Sequence, residues 1–183
     1  GAYGDAGRLN SALTLIDTDQ LLREIPDNIK SKVLIKAYPK SMSANLGGYD
    51  YVKFTNVNLE KFRGYIDSNV PAKKLMNESE LVIVNYISTS HLESMYSNIP
   101  TLLYWPNTRW VIDENYLWRL NELEKVGILH YSVGSLIKFL SSIDGEVSNW
   151  WCRPDVQIAR LNFLKINCDN GEEIFEFLSS IAR

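Results

Sequence analysis

Apolar residues near the start of the chain recur at helical spacing. Between Ser11 and Ile25, leucines and isoleucines return mostly every three or four positions, and Pro26 follows directly. This pattern predicts a helix over 11–25 that ends before the proline. Similar spacing predicts later helices over 114–126, from Ser132 onward, over 154–166 and over 172–181. Gly127 supports the end of the helix 114–126, because glycine is favoured just past a helix.

Short apolar runs separate the helices. The run 81–84, Leu-Val-Ile-Val, contains no polar residue, which is typical of a parallel strand buried on both faces. A polar turn and a short helix over 91–97 follow it. The next β-rich run then completes a predicted βαβ unit. Strands are predicted over 32–39, 51–54, 81–84, 101–105 and 128–131.

Strands that alternate with helices place the chain in the α/β class. We predict a Rossmann-like, doubly wound fold with a mainly parallel sheet and helices on both faces. A single domain is expected over 1–183. After the first helix, it has an α/β core over about 32–143 and C-terminal helices over about 154–182.

Composition limits the partners and the compartment. The chain has 19 basic and 22 acidic side chains and a net charge of −3, so no nucleic-acid partner is expected. Cys152 and Cys168 are interpreted as free thiols of the cytoplasm. No run reaches the length of a membrane span, so any membrane association is expected to be peripheral, at the inner face. Because the chain begins at Gly1 without a signal-peptide pattern, we interpret it as a piece of a longer protein.

Polar residues follow two of the predicted strands and suggest a ligand site. In an open parallel sheet, ligands gather at the carboxyl ends of the strands, where helix N-termini present free N–H groups. Three consecutive hydroxyl residues after the strand 81–84 suit a phosphate, and a lysine toward the end of the strand that begins at residue 32 would supply the countercharge. The candidate phosphate-binding residues are Lys36, Tyr38, Ser88, Thr89, Ser90 and His91.

Other interpretations of the same residues stay open. The segment from Ser90 to Glu93 also fits a capping box, in which Ser90 is the N-cap and the Glu93 side chain accepts from the backbone amide of Ser90. His91 in the first helical turn could simply be solvated, and His130 in a strand is expected to be structural. Among the tryptophans, Trp105 could line the pocket with Tyr86 and Arg109. Trp150 and Trp151 are expected to wedge the C-terminal helices onto the sheet.

Several catalytic classes lack their motifs. Asp17 and Asp19 have the D-x-D spacing of some metal-dependent transferases, but they lie in a predicted helix, so we interpret them as solvated charges and predict no metal. The sequence has no G-x-x-x-x-G-K-[ST], G-x-G-x-x-G or G-x-S-x-G pattern. These absences argue against an ATPase, a dinucleotide oxidoreductase and an ordinary serine hydrolase.

A series of segments resembles the C-terminal half of GT-B glycosyltransferases. They are Lys36-Ala-Tyr-Pro39, Glu80-Leu-Val-Ile-Val-Asn-Tyr86, Ser88-Thr-Ser-His-Leu-Glu93 and Asn98-Ile-Pro-Thr-Leu-Leu-Tyr-Trp105. With Lys125-Val-Gly-Ile-Leu-His130 and Trp150-Trp151, the chain is similar to transferases of O-antigen and capsule gene clusters. These are related in style to teichoic-acid glycerophosphotransferases. The similarity spans about residues 32 to 165.

The resemblance implies a nucleotide-activated sugar as substrate and no cofactor. Thr89 and Ser90 would bind its phosphates, Glu93 its ribose, and Lys36 the charge of the leaving phosphate. The family pattern favours arginine where this chain has Lys36, and lysine cannot form the bidentate contact. The general base and the glycan or lipid-linked acceptor are expected on an N-terminal domain outside this chain. The fragment is therefore expected to be weakly active or inactive alone.

Two other functions fit the same pattern. A sugar-nucleotide epimerase would also place hydroxyls and a helix-borne glutamate at this edge. A non-catalytic α/β module would instead scaffold a polysaccharide assembly or bind a partner through its aromatic residues.

Overall fold

A computed structural model describes residues 3–36, 57–66, 70–85, 88–106 and 114–167. The predicted strand 51–54 and helix 172–181 lie outside these residues. The strands are β1 (Leu34–Lys36), β2 (Gly64–Ile66), β3 (Val82–Val84), β4 (Thr101–Tyr104) and β5 (Leu129–His130). The helices are α1 (Tyr3–Glu24), α2 (Asp27–Lys30), α3 (Ala72–Asn77), α4 (Thr89–Tyr96), α5 (Glu114–Lys125), α6 (Val133–Ser142), α7 (Val147–Trp151) and α8 (Pro154–Asn167), with a 3-10 turn at Leu59–Lys61.

Two parallel sheets contain the described strands. β3, β4 and β5 form a three-stranded sheet in that order, with Val82 opposite Thr101 and Leu103 opposite Leu129. β1 and β2 pair in parallel as a second sheet, with Leu34 opposite Gly64. The parallel pairing predicted from the alternation of strands and helices is therefore confirmed.

Helices connect successive strands of the larger sheet. α4 joins β3 to β4 and α5 joins β4 to β5, so the predicted βαβ unit is confirmed. α8 packs against α4 and α5, whereas α1 packs against α6, which itself lies on β4 and β5. Right-handed crossovers place α4 and α5 on one face of the sheet. The arrangement is the Rossmann-like α/β fold that was predicted.

The strand buried on both faces is β4 and not β3. All residues of β4 are buried, whereas in β3 only Val84 is buried and Val82 and Ile83 are half-buried. The prediction of full burial for 81–84 is wrong because, in the described part of the sheet, β3 has a hydrogen-bonded neighbour on one side only. An apolar run indicates a strand, but its position in the sheet decides its burial.

The first helix is longer than predicted and buries one of its acidic residues. α1 extends over Tyr3–Glu24, and Pro26 after it is the N-cap of α2. Asp19 pairs with Arg23 at 2.7 Å, but Asp17 is buried. The interpretation of Asp17 as a solvated charge is wrong. It lies one helical turn before the buried Leu21, on the face that the protein covers.

The two adjacent tryptophans pack the C-terminal part onto the core, as expected. They belong to α7, a short helix that the sequence pattern did not predict, and both are buried. The Nε1 of Trp150 donates to the carbonyl of Val126 at 2.9 Å. The Nε1 of Trp151 donates to the carbonyl of Asn98 at 3.1 Å. α7 therefore contacts the turns that follow α5 and α4.

The turn before β5 explains why residue 127 is glycine. Gly127 has φ +83°, and a Cβ there would collide with the ring of Phe139. Its carbonyl accepts from Nε2 of the buried His130 at 3.0 Å, and Nδ1 of the same ring lies 2.9 Å from the hydroxyl of Ser135. His130 thus has partners for both ring nitrogens, which agrees with its expected structural role.

Candidate functional site

The candidate site lies at the start of α4, at the carboxyl edge of the larger sheet. Because β3, β4 and β5 are parallel, their carboxyl ends meet at this edge. Ser88 is the N-cap, with the extended backbone angles φ −150° and ψ 173°, and the helix begins at Thr89. The capping box predicted for Ser90 and Glu93 is therefore wrong. Ser90 is already helical, and the third helical position is His91. We call residues 88–91 the α4 N-terminal turn.

His91 is a buried part of this turn and not a solvated side chain. The backbone amide of Ser88 donates to its Nδ1 at 3.4 Å. Burial lowers the pKa of His91 from 6.5 to about 4. The ring is consequently neutral at physiological pH. A neutral imidazole that accepts at Nδ1 carries its proton on Nε2.

Trp105, directly after β4, lies against His91 of the α4 N-terminal turn. Their ring centroids are 4.9 Å apart and the rings are nearly perpendicular, at 78°. Phe163 of α8 contacts both rings, at 6.0 Å from His91 and 6.4 Å from Trp105. The Nε1 of Trp105 is buried and has no hydrogen-bond partner among the described residues. An aromatic group with one unsatisfied donor therefore borders the α4 N-terminal turn.

The hydroxyls of this turn are accessible. Thr89 is exposed, and Ser88 and Ser90 are half-buried. The hydroxyls of Thr89 and Ser90 form no hydrogen bond with the residues that the structure describes. The amides of these two residues have no acceptor inside the helix, since the first turn of any helix lacks one. Glu93 is exposed one turn further along the same face as Ser90.

Lys36 lies at the carboxyl end of β1, in the two-stranded sheet, and is half-buried. Lys32, just before β1, pairs with Asp144 at 2.9 Å. Asp144 follows the end of α6, which runs back from the carboxyl end of β5. β1 therefore starts near the C-terminal end of α6. Within the described residues, no strand pairing joins the two sheets.

Three of the predicted site residues, Tyr38, Tyr86 and Arg109, lie outside the described residues. The structure brings together Ser88, His91 and Trp105 through direct contacts. It does not place Glu93 in that group, since its side chain is exposed on the helix surface.

Two residues at this helix were not singled out from the sequence. Arg160 of α8 is buried and donates to the carbonyl of Met95, at the C-terminal end of α4, at 2.6 Å. Burial lowers its pKa to about 10. Asn85, after β3, donates to the hydroxyl of Thr18 and so links α1 to the carboxyl edge. Both contacts join residues more than 60 positions apart, so no local pattern could have indicated them.

The described residues contain no cluster of three or more histidine, cysteine, aspartate or glutamate side chains that could hold a metal ion. In the same part of the chain, none of the helices has the length and apolar character needed to cross a membrane.

One comparison with known proteins assigns the chain to a family. No curated protein and no solved structure matched it. The family model described as LIC12162 family transferase matches residues 15–177. This range includes α4, all five strands and the aromatic group beside Trp105. The chain therefore belongs to the LIC12162 family of transferases.

Proposed function

We propose that the α4 N-terminal turn binds the phosphates of a nucleotide-activated sugar. The chain would then be the donor-binding part of a glycosyltransferase, or of a glycerophosphotransferase-like enzyme, of surface-polysaccharide synthesis. Two findings support the proposal. The chain belongs to a transferase family, and two hydroxyls at a helix start on the carboxyl edge of a parallel sheet have no partner among the described residues. Sheets of this type bind ligands at that edge.

The turn has the chemistry for an anion. The amides of Thr89 and Ser90 and their two hydroxyls are four donors in one helical turn, and the helix dipole adds partial positive charge at the same place. Lys36 would supply a full positive charge from the end of β1. Ser88 has a different task, because its amide already donates to His91.

Transfer would proceed without a covalent intermediate on this chain. The bond between the anomeric carbon and the phosphate oxygen breaks, the acceptor hydroxyl oxygen bonds to that carbon, and its proton passes to a base. We place the base and the acceptor site on a separate N-terminal domain, as the GT-B resemblance implies. The contribution of this chain is to stabilise the charge that develops on the leaving phosphate.

Glu93 is proposed to bind the ribose. It lies three positions after Ser90, so the two residues share a face of α4. Its exposed carboxylate is available to accept from ribose hydroxyls while Ser90 binds the neighbouring phosphate. We further propose that the enzyme works in the cytoplasm, at most peripherally at the inner face of the membrane.

The observation that carries the proposal is the pair of accessible hydroxyls at Thr89 and Ser90, which no described residue contacts through a hydrogen bond. The test is calorimetric titration of the wild type with UDP, CDP, GDP and dTDP. The nucleotide that binds most tightly is then titrated into the variants Ser90→Ala and Thr89→Val. We expect each substitution to weaken binding about tenfold, because a hydrogen bond to a charged group contributes about 1.5–3 kcal/mol.

Ser141→Ala is the matched control, because Ser141 is an exposed helical serine of α6 whose hydroxyl bonds to Ile137. It should leave affinity unchanged. Failure of all four nucleotides to bind, or equal affinity of the wild type and both site variants, would contradict the proposal.

A further inference from the structure

The indole nitrogen of Trp105 is a buried donor to which no described residue supplies an acceptor. The side chain is 5% exposed, and its Nε1 has no hydrogen-bond partner in the described part of the chain. An unsatisfied buried N–H costs about 1–3 kcal/mol. Trp150 and Trp151 are equally buried, but each donates Nε1 to a backbone carbonyl. The unpartnered nitrogen therefore distinguishes Trp105 from the two buried tryptophans that only pack, and a ligand atom is one physical explanation for it.

His91 supplies a second uncharged donor in contact with the first. Its ring meets that of Trp105 at a centroid distance of 4.9 Å. Because Nδ1 accepts the amide of Ser88, the proton of the neutral ring is on Nε2. That nitrogen forms no hydrogen bond with the described residues. Two N–H donors thus lie beside the helix start where the phosphates are proposed to bind.

We infer that the Nε1–H of Trp105 and the Nε2–H of His91 form a donor pair that binds an uncharged oxygen of the nucleotide sugar. This inference rests on the proposed function. It makes Trp105 a residue that determines specificity, with the phosphates on Thr89 and Ser90 beside it.

The surroundings of the two rings favour a neutral oxygen over a charged one. Phe163 packs against both of them, and neither donor is charged. Placing a phosphate oxygen there would remove it from water without a compensating positive charge, which costs far more than burying a hydroxyl or carbonyl. The charged oxygens are better placed at Thr89, which is exposed. The neutral oxygen belongs either to the transferred sugar or to the nucleoside.

Such a pair would reject ligands that lack the acceptor. A site with buried donors discriminates strongly against an analogue that cannot satisfy them, because the donors stay unpaired when it binds. The Nε1 of Trp105 is covered by protein atoms, so a ligand oxygen reaches it only as the neighbouring groups move apart. Binding should therefore alter the environment of this nitrogen more than that of the other buried tryptophans.

The first test is a ¹H–¹⁵N spectrum of the indole groups, recorded with and without UDP-glucose, GDP-mannose, dTDP-glucose and CDP-glycerol. Trp105→Phe and Trp150→Phe assign their signals by the loss of one peak each. With a ligand that binds, we expect the Trp105 signal to move downfield and the Trp150 signal to stay in place. A bound ligand that leaves the Trp105 signal unmoved would overturn the inference.

The second test compares affinities of Trp105→Phe and Trp150→Phe by calorimetry. Trp105→Phe should weaken binding about tenfold, the equivalent of one buried hydrogen bond, and Trp150→Phe less than twofold. If only the nucleotide sugar is affected, the oxygen is on the sugar. If the free nucleoside diphosphate is affected equally, the oxygen is on the nucleoside. Either result supports the pair.

The two proposals fail in different ways. If Ser90→Ala weakens binding while Trp105→Phe does not, the inference is wrong and the proposed function stands. If none of the nucleotides or activated donors binds, the proposed function is wrong and the inference falls with it. Thermal unfolding of each variant without ligand confirms that the fold is retained.

Discussion

The two ends of α4 differ, because side chains of α7 and α8 donate to backbone carbonyls at the C-terminal end, whereas two hydroxyls at the N-terminal end have no such contact with a described residue. Arg160 donates to the carbonyl of Met95 at 2.6 Å, and Trp151 donates to the carbonyl of Asn98 at 3.1 Å. At the other end, the hydroxyls of Thr89 and Ser90 bond to no described residue.

This difference separates a structural end of the helix from an end available to a ligand. Both ends of any helix leave backbone groups without partners, and a cation is favourable at the negative C-terminal end. Arg160 provides that cation from α8, and its burial is tolerated because the guanidinium also donates to Gln157 at 3.0 Å. Among the described residues, no acidic side chain bonds to the positive end, a condition that an anion-binding turn requires.

Removing the cation should produce the largest loss of stability. Arg160→Ala deletes the hydrogen bonds to Met95 and Gln157 and leaves a cavity between α8 and α4, so we expect a loss of about 2–4 kcal/mol in the free energy of unfolding. Chemical denaturation measures it. Arg153→Ala, which removes an exposed ion pair with Asp155, is the control and should change little. An unchanged unfolding free energy for Arg160→Ala would mean that the C-terminal end does not depend on this contact.

Acid should destabilise the N-terminal end through His91. The folded protein keeps His91 unprotonated down to about pH 4, whereas the unfolded chain binds the proton near pH 6.5. The unfolded state therefore binds more protons between these values, and stability falls as pH falls through that window, by up to about 3 kcal/mol. A protonated Nδ1 can no longer accept the amide of Ser88.

Denaturation midpoints between pH 7.5 and pH 4 measure this effect. His91→Gln should flatten the pH dependence but not abolish it, because burial also lowers the pKa of His130. The same slope in the wild type and in His91→Gln would show that His91 does not cause it.

A smaller loss of stability is expected from Asn98→Ala, at the C-terminal end of α4. The substitution places alanine at φ 54° and removes the side-chain oxygen that accepts from Trp151 at 3.0 Å. We expect it to lower the free energy of unfolding by about 1–2 kcal/mol.

The smallest effect on stability is expected at the α4 N-terminal turn. The free energy of unfolding of the double variant Thr89→Val with Ser90→Ala should stay within about 0.5 kcal/mol of the wild type, although the variant weakens nucleotide binding. A larger loss in the double variant would indicate that these hydroxyls are structural after all.

Local patterns located the elements that form this site. The apolar run before Asn85 indicated β3, and the β-rich run over 101–105 indicated β4, as the structure has them. Ser132 was expected to start a helix, and its hydroxyl accepts from the amide of Ser135 at 3.2 Å. These signals are local, because capping and strand formation depend on neighbouring residues.

The sequence was less able to identify the N-cap of α4, because several adjacent residues could cap the helix. Ser88, Thr89 and Ser90 have similar capping chemistry, so the sequence could not tell which of them is the N-cap. The extended backbone at Ser88 decides it. β2 was missed because Gly64–Ile66 is a strand only through its pairing with β1. α7 was missed because five residues are too few for a helical period.

The sequence by itself determined the α/β class, the parallel βαβ unit around α4 and the hydroxyl-rich turn at the helix start, since all three follow from periodicity and residue type over short distances. Only the tertiary structure decided that His91 is buried and neutral, that Trp105 keeps an unpartnered donor beside it, and that Arg160 closes the other end of the helix. Burial and the pairing of polar groups depend on residues far apart in the chain, whose contacts exist only after the helices pack on the sheet.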